Sequence, residues 1–174
     1  REDDSSAMIL AKACHDLDLL RWLAGRPCRS VASFGSLKHF RPENAPPGST
    51  ARCLAGCQVE RSCPYSAVRF YLDGFDGQDR WPFNIVSPQP TAASLRRAIE
   101  SGPYGRCVYR SDNDVADNQV VALEFEEQVT ATLTVTAFSA DNTRTVHLQG
   151  THGEIRGHLG DGLITLNDFR TGRQ

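Results

Sequence analysis

Two stretches in the second half of the chain largely alternate apolar and polar residues. They are Gln119-Val-Val-Ala-Leu-Glu-Phe-Glu126 and Val129-Thr-Ala-Thr-Leu-Thr-Val-Thr-Ala-Phe138. Only Glu127-Gln128 separates them, so the pattern predicts a β-hairpin. Three further alternating stretches follow at 145–149, 153–159 and 163–168, with Gly and Asp turns between them. We therefore expect a meander of antiparallel strands from residue 119 onward.

The first half of the chain is dominated by a helical pattern over residues 8–24. We expect this helix to be capped by Ser5-Ser6 and to end at Gly25. One apolar stripe recurs at helical spacing and should face a core: Ile9, Ala13, Leu17, Leu20, Leu23 and Ala24.

Between these regions the pattern predicts a strand over 30–37, a long loop over 39–62 and a short helix over 63–72. Turns are expected over 73–90, and a helix over 91–100 that is capped by Thr91 and stopped by Gly102-Pro103. Helices followed by a strand meander predict an α+β fold: an open, mostly antiparallel sheet with helices packed on one face. The other face carries threonines at 130, 132, 134 and 136, which predicts a wet surface or a polar dimer surface.

Composition narrows the class of protein. The chain has 174 residues, 40% hydrophobic content and a net charge of -2. We expect one domain spanning 1–174, with no electrostatic case for nucleic acid or an anionic membrane surface. No apolar run approaches the ~20 residues of a membrane helix. Six cysteines in a chain of this size favour a reducing, cytoplasmic location over a disulfide scaffold.

The helix over 8–24 carries a second face that mixes apolar and ionisable residues. Lys12, His15 and Asp16 are spaced i, i+3 and i+4 and lie together away from the centre of the stripe. This face predicts contact with a ligand, a cofactor or another domain. A pair of ordinary surface side chains, His15 and Asp16, is the alternative.

Three closely spaced cysteines, Cys53, Cys57 and Cys63, lie in and beside the long loop. Their sulfurs could reach one tetrahedral metal ion, with His39 or Cys28 as a fourth ligand, and a structural zinc would staple the loop. A disulfide between two of the three, or three free thiols buried as small hydrophobes, are the competing interpretations.

Four segments in series resemble one known family. They are Cys14-His15-Asp16-Leu-Asp18-Leu-Leu-Arg-Trp-Leu, Val31-Ala-Ser-Phe-Gly-Ser-Leu37, the alternating hairpin, and Gly150-Thr-His-Gly-Glu-Ile155. They resemble the C-terminal domain of the glucose–fructose oxidoreductase / inositol dehydrogenase / rhizopine-catabolism family. The resemblance implies a substrate-binding and oligomerisation domain, whose N-terminal Rossmann partner, absent from this chain, binds NAD or NADP.

The resemblance also implies roles for particular residues. His15 would act as the acid/base, or assist it, on a sugar, sugar derivative or cyclitol, with Lys12 beside it and Asp16 contacting substrate. Members often carry an aspartate at the position of Ala11, so the proton relay differs here. Asp117 and Asn118 could reach a polyol, or they are plain turn residues. The resemblance implies a homodimer or higher homo-oligomer.

A cleft floor on the helix would leave four side chains unusually exposed in this domain alone: Met8, Lys12, His15 and Leu19. The alternative function is a non-catalytic ligand-binding, regulatory or dimerisation module of the same fold.

Overall fold

The computed structural model describes residues 6–172 and divides the chain into two compact units, 1–137 and 138–174. Each unit contains its own antiparallel sheet. Within residues 6–172, no helix combines the length and hydrophobicity that crossing a membrane requires.

The first unit is built on a three-stranded sheet. Its strands are β1 (Cys28–Ser36), β2 (Asn118–Phe125) and β3 (Thr130–Thr136), in the order β1-β2-β3. The predicted hairpin is confirmed: β2 and β3 are joined by a tight turn in which Glu127 and Gln128 have φ of 57° and 63°. The alternation places one apolar row of β2 inward, and Val121, Leu123 and Phe125 form the core of this sheet.

Helix α1 (Met8–Ala24) packs on that core through the predicted stripe. Ile9, Leu17, Leu20 and Ala24 contact the buried row of β2, and Ala13 is buried. Gly25 ends the helix with φ of 65°, and its N–H donates to the carbonyls of Arg21 and Trp22. The predicted serine cap is wrong for Ser6, because the N-cap residue is Ala7 and no side chain caps the helix. Ser5 lies outside the described residues.

The long segment between β1 and β2 contains short elements. Single turns occur at Pro42–Asn44, Glu60–Ser62 and Pro103–Gly105, and α2 (Phe83–Val86) interrupts the predicted turns. A π-helical turn, Arg69–Asp73, replaces most of the helix predicted over 63–72.

The prediction for the last helix of this segment is confirmed. Helix α3 (Ala92–Ser101) begins at a capping box between Thr91 and Ser94, and Leu95 and Ile99 are fully buried.

The second unit contains the remaining strands. They are β4 (Thr145–Gly150), β5 (Gly153–His158) and β6 (Leu163–Asp168), paired antiparallel in that order. The α+β class is confirmed, but the expectation of one continuous sheet is wrong. The strands form two three-stranded sheets, because residues 137–144 form bends instead of the tight hairpin turn that would pair β4 with β3.

Candidate functional site

The face of α1 opposite the sheet carries the two ionisable residues predicted as catalytic. Lys12 and His15 are both exposed, one helical turn apart. Met8 and Leu19, which share this face, are half-buried, so the predicted exposure holds for two of the four side chains. Trp22, seven residues after His15, is 73% exposed, which leaves a large aromatic surface on the same helix.

The immediate geometry of His15 distinguishes its two ring nitrogens. Nδ1 lies 3.3 Å from the Sγ of Cys14, so Nε2 is the nitrogen that can act on an external group. Asp16, which was grouped with Lys12 and His15, is half-buried, whereas Lys12 and His15 are exposed. At helical spacing the three residues occupy neighbouring positions on the surface of α1.

Asp117 has a different environment from the one predicted for a substrate ligand. It is 2% exposed, and its carboxylate accepts hydrogen bonds from the consecutive backbone N–H groups of Lys38, His39 and Phe40 at 2.7–3.2 Å. Burial acts to raise the pKa of Asp117, but these donors and the Asn118 amide outweigh it, and the pKa lies below its ordinary value.

The partners of Asp117 assign it a structural task. Its carboxylate orders the backbone where β1 gives way to the long segment. Asn118 is committed to the same corner, because its amide donates to the Ser36 carbonyl and to Asp117 Oδ1. The polar groups of both residues are therefore engaged within the fold at this corner. Sequence alone could not reveal this role, because the amides that Asp117 binds are nearly eighty residues away in the chain.

The three cysteines predicted as metal ligands line a single cavity, and Cys107 lines it with them. All six cysteines of the chain are free thiols, so the structure contains no disulfide. Within residues 6–172, no group of three or more His, Cys, Asp or Glu side chains is arranged so that it could hold a metal ion.

His39 does not occupy the place that the zinc prediction gave it. Its Nε2 lies 3.0 Å from the hydroxyl of Tyr109, and its ring packs against Phe40, Tyr65 and Tyr109. It is not among the residues that line the cysteine cavity. The other candidate for fourth ligand, Cys28, is exposed on β1, where its thiol donates to the Ser30 and Glu124 carbonyls. Cys107 is the residue that sequence reasoning missed.

The Gly150–Gly153 motif is not a nucleotide-binding glycine loop. Gly150 pairs with Gly153 at the closed end of the β4–β5 hairpin, so these glycines form a turn between strands. A phosphate-binding loop would instead lead from a strand into a helix N-terminus.

Comparisons with known proteins identify the family of the chain. Searches of curated proteins and of solved structures return no match. Residues 2–171 match the family model described as the oxidoreductase family, C-terminal alpha/beta domain. Because that match covers nearly the whole chain, the chain belongs to this family of oxidoreductase C-terminal domains.

Proposed function

We propose that this chain is the substrate-binding and oligomerisation domain of an NAD(P)-dependent dehydrogenase that acts on a sugar, a sugar derivative or a cyclitol. The observation that carries the proposal is the pair Lys12 and His15, exposed one turn apart on the face of α1 that does not pack on the sheet. Membership in an oxidoreductase family supports it.

The chemistry assigns one task to each residue. Oxidation of a secondary alcohol removes a hydride from carbon and a proton from the hydroxyl. A nicotinamide cofactor held by an N-terminal domain would supply the acceptor for the hydride. His15 accepts the hydroxyl proton at Nε2, since its Nδ1 faces Cys14. Lys12 donates a charge-assisted hydrogen bond to a neighbouring hydroxyl and orients the substrate.

Oligomerisation belongs to the opposite side of the first sheet. Thr130, Thr132, Thr134 and Thr136 of β3 are exposed on the face opposite α1, and Phe34 of β1, 81% exposed, shares that face. A hydroxyl-rich surface with an aromatic centre suits a homodimer contact. This placement keeps the Lys12 face open to the N-terminal domain.

The test uses the full-length protein with its N-terminal domain and a panel of sugars and cyclitols with NAD⁺ and NADP⁺. For the best substrate, we expect His15→Asn to lower kcat by about 10²- to 10⁴-fold, the usual loss for a general base. We expect Lys12→Met to act mainly on KM, because it removes a binding contact.

Arg21→Gln is the matched control, since Arg21 is exposed on another side of the same helix. It should leave both constants unchanged. Turnover that survives His15→Asn at the wild-type rate would refute the assigned role.

One observation favours a second candidate function, a non-catalytic ligand-binding module. Ala11 stands where related enzymes often carry an aspartate one turn before the histidine. In that case the full-length protein would bind sugar without turnover, and Lys12→Met would abolish binding in calorimetry.

A further inference from the structure

Four thiols from two distant parts of the chain surround one cavity in the first unit. Cys53, Cys57 and Cys63 come from the long segment that follows β1, and Cys107 comes from the segment after α3. The cavity belongs to neither the Lys12 face nor the sheet, so the proposed dehydrogenase site makes no use of these thiols.

A short antiparallel bridge holds the two segments in register. Arg52 pairs with Arg106, the Cys53 N–H donates to the Gly105 carbonyl at 3.1 Å, and the Cys107 N–H donates to the Ala51 carbonyl at 2.9 Å. In an antiparallel pair, residues on either side of a bridging position point to the same face. Cys53 and Cys107 are therefore diagonal neighbours, within ~7–8 Å at their backbones.

A turn in the chain brings the other two thiols, those of Cys57 and Cys63, to the cavity. The 57–63 segment folds through the helical turn Glu60–Ser62, and the Cys63 N–H donates to the Val59 carbonyl at 2.9 Å. Cys57 and Cys63 are six positions apart in the chain, and this turn lets both of them line the same cavity.

The surroundings of the cavity suit thiolates bound to a cation. A dication among the four sulfurs would favour the thiolate form of each, because a metal-coordinated thiol loses its proton.

Two guanidinium groups at the rim can offset the remaining negative charge. Arg69 donates to the Cys63 carbonyl at 3.2 Å, and Arg110 donates to Ser49, which lines the cavity, at 3.2 Å.

We propose that Cys53, Cys57, Cys63 and Cys107 bind one Zn²⁺ in a closed, tetrahedral, four-thiolate site. Each thiol loses its proton to solvent on binding, and the four sulfurs draw together to about 3.8 Å from one another, as Zn–S bonds of ~2.3 Å require. The ion joins the long segment to the chain after α3. Four sulfur ligands leave no open position for substrate, so the role is structural.

The test is elemental analysis of the 174-residue chain purified without added metal. We expect about one equivalent of zinc per chain, the stoichiometry of a four-ligand site. Replacement by Co²⁺ should give the intense visible bands of tetrahedral cobalt with sulfur-to-metal charge transfer. Cys107→Ser should lose most of the zinc, and it separates this ligand set from one completed by His39.

Two controls keep the ligand set falsifiable. Cys28→Ser should retain zinc, because Cys28 is an exposed thiol outside the cavity. His39→Gln should also retain it, because His39 bonds to Tyr109. If Cys107→Ser fails to fold, the cobalt spectrum of the unaltered chain still decides the sulfur count.

Three results would overturn the proposal. They are zinc below half an equivalent with all thiols titratable, a mass reduced by two hydrogens that reveals a disulfide among the four, and iron with acid-labile sulfide in place of zinc. None of these bears on His15 or Lys12, so the zinc site and the proposed dehydrogenase function fail independently.

Discussion

Replacing Asp117 by asparagine tests whether one buried carboxylate organises the start of the long segment. The change keeps the size of the side chain and removes its charge. One carboxylate oxygen becomes an NH₂ group, which turns a donor toward groups that are themselves donors. The affected donors are the N–H groups of Lys38, His39 and Phe40 and the amide of Asn118.

The size of the effect follows from the count of donors. A hydrogen bond to a charged group contributes about 1.5–3 kcal/mol, against about 0.5–1.5 kcal/mol for a neutral one. Four donors that each lose roughly half their stabilisation give a loss of about 3 kcal/mol for Asp117→Asn. For a chain of this size that corresponds to a fall in Tm of roughly 6–12 °C.

Denaturant unfolding followed by tryptophan fluorescence measures this loss. Trp22 and Trp81 both lie in the first unit, so their signal reports the unit that contains Asp117. Asp112→Asn is the matched control, because Asp112 is an exposed carboxylate paired with Arg106. Equal stability of the two variants would refute the structural role of Asp117.

The pH dependence provides a second check on Asp117. Because its pKa is lower in the folded protein, its contribution is complete above the unfolded value near 3.8 and is lost as pH falls through the folded value. The difference in free energy of unfolding between wild type and Asp117→Asn should therefore be constant at neutral pH and shrink in acid. A difference that grows in acid would contradict the assignment.

Two further changes test packing and charge. A Cβ on Gly105 would overlap the Ile99 carbonyl oxygen, so Gly105→Ala should destabilise the chain by about 3 kcal/mol in unfolding followed by far-UV circular dichroism, which reports both units. Gly157→Ala, where the added Cβ has ordinary contact distances, is its control in the second unit and should be far milder. In the second unit, hydrogen bonds lower the pKa of Glu154 to about 2, and the bond from His147 contributes most. NMR titration of the Glu154 carboxyl carbon should show that pKa. His147→Gln should raise the pKa of Glu154, because it removes this contribution. The stabilisation by Glu154 is complete above its ordinary value of 4.5 and is lost as pH falls toward 2. Titration of Glu154 near 4.5 in wild type would contradict the hydrogen-bond network.

Local periodicity predicted the parts of the fold that are decided locally. The α1 stripe, the hairpin of β2 and β3, and the Thr91 cap of α3 each depend on residues within a few positions of one another. The spacing of their apolar side chains indicates which face of each element is buried. For these elements the sequence was a sufficient guide.

The features that the sequence did not reveal depend on partners far away in the chain. Asp117 appeared to be a turn acid at the start of a strand, and its buried role required three amides at 38–40. Cys107 carried no motif of its own, and only the bridge of Arg52 with Arg106 brings it to the other thiols. Single-sequence patterns contain no information on such pairings, so they did not place Cys107 with the other three thiols. The division into two sheets was missed for the same reason.

The topology of the first unit explains why a cross-link within the long segment would stabilise it. β1 and β2 are hydrogen-bonded neighbours, yet residues 37–117 leave the sheet between them and return. Closing so long a segment costs entropy, and short helical turns bury little surface to offset it. Asp117 fixes the first residues of this segment, and the Arg52 guanidinium fixes its middle by donating to the Ile99 and Gly102 carbonyls.

A four-thiolate zinc ion would add a strong cross-link next to these Arg52 contacts. The ion would join residues 53–63 to residue 107. Most of the long segment would then form a loop closed by the metal. Helix α1 packs on the sheet through contacts that do not involve this segment's cysteines. Chelation should therefore loosen the long segment in hydrogen exchange while the amides of α1 keep their protection. Equal loss of protection in both places would show that the segment and the sheet fold as one cooperative unit, and that the staple also supports the face that carries Lys12 and His15.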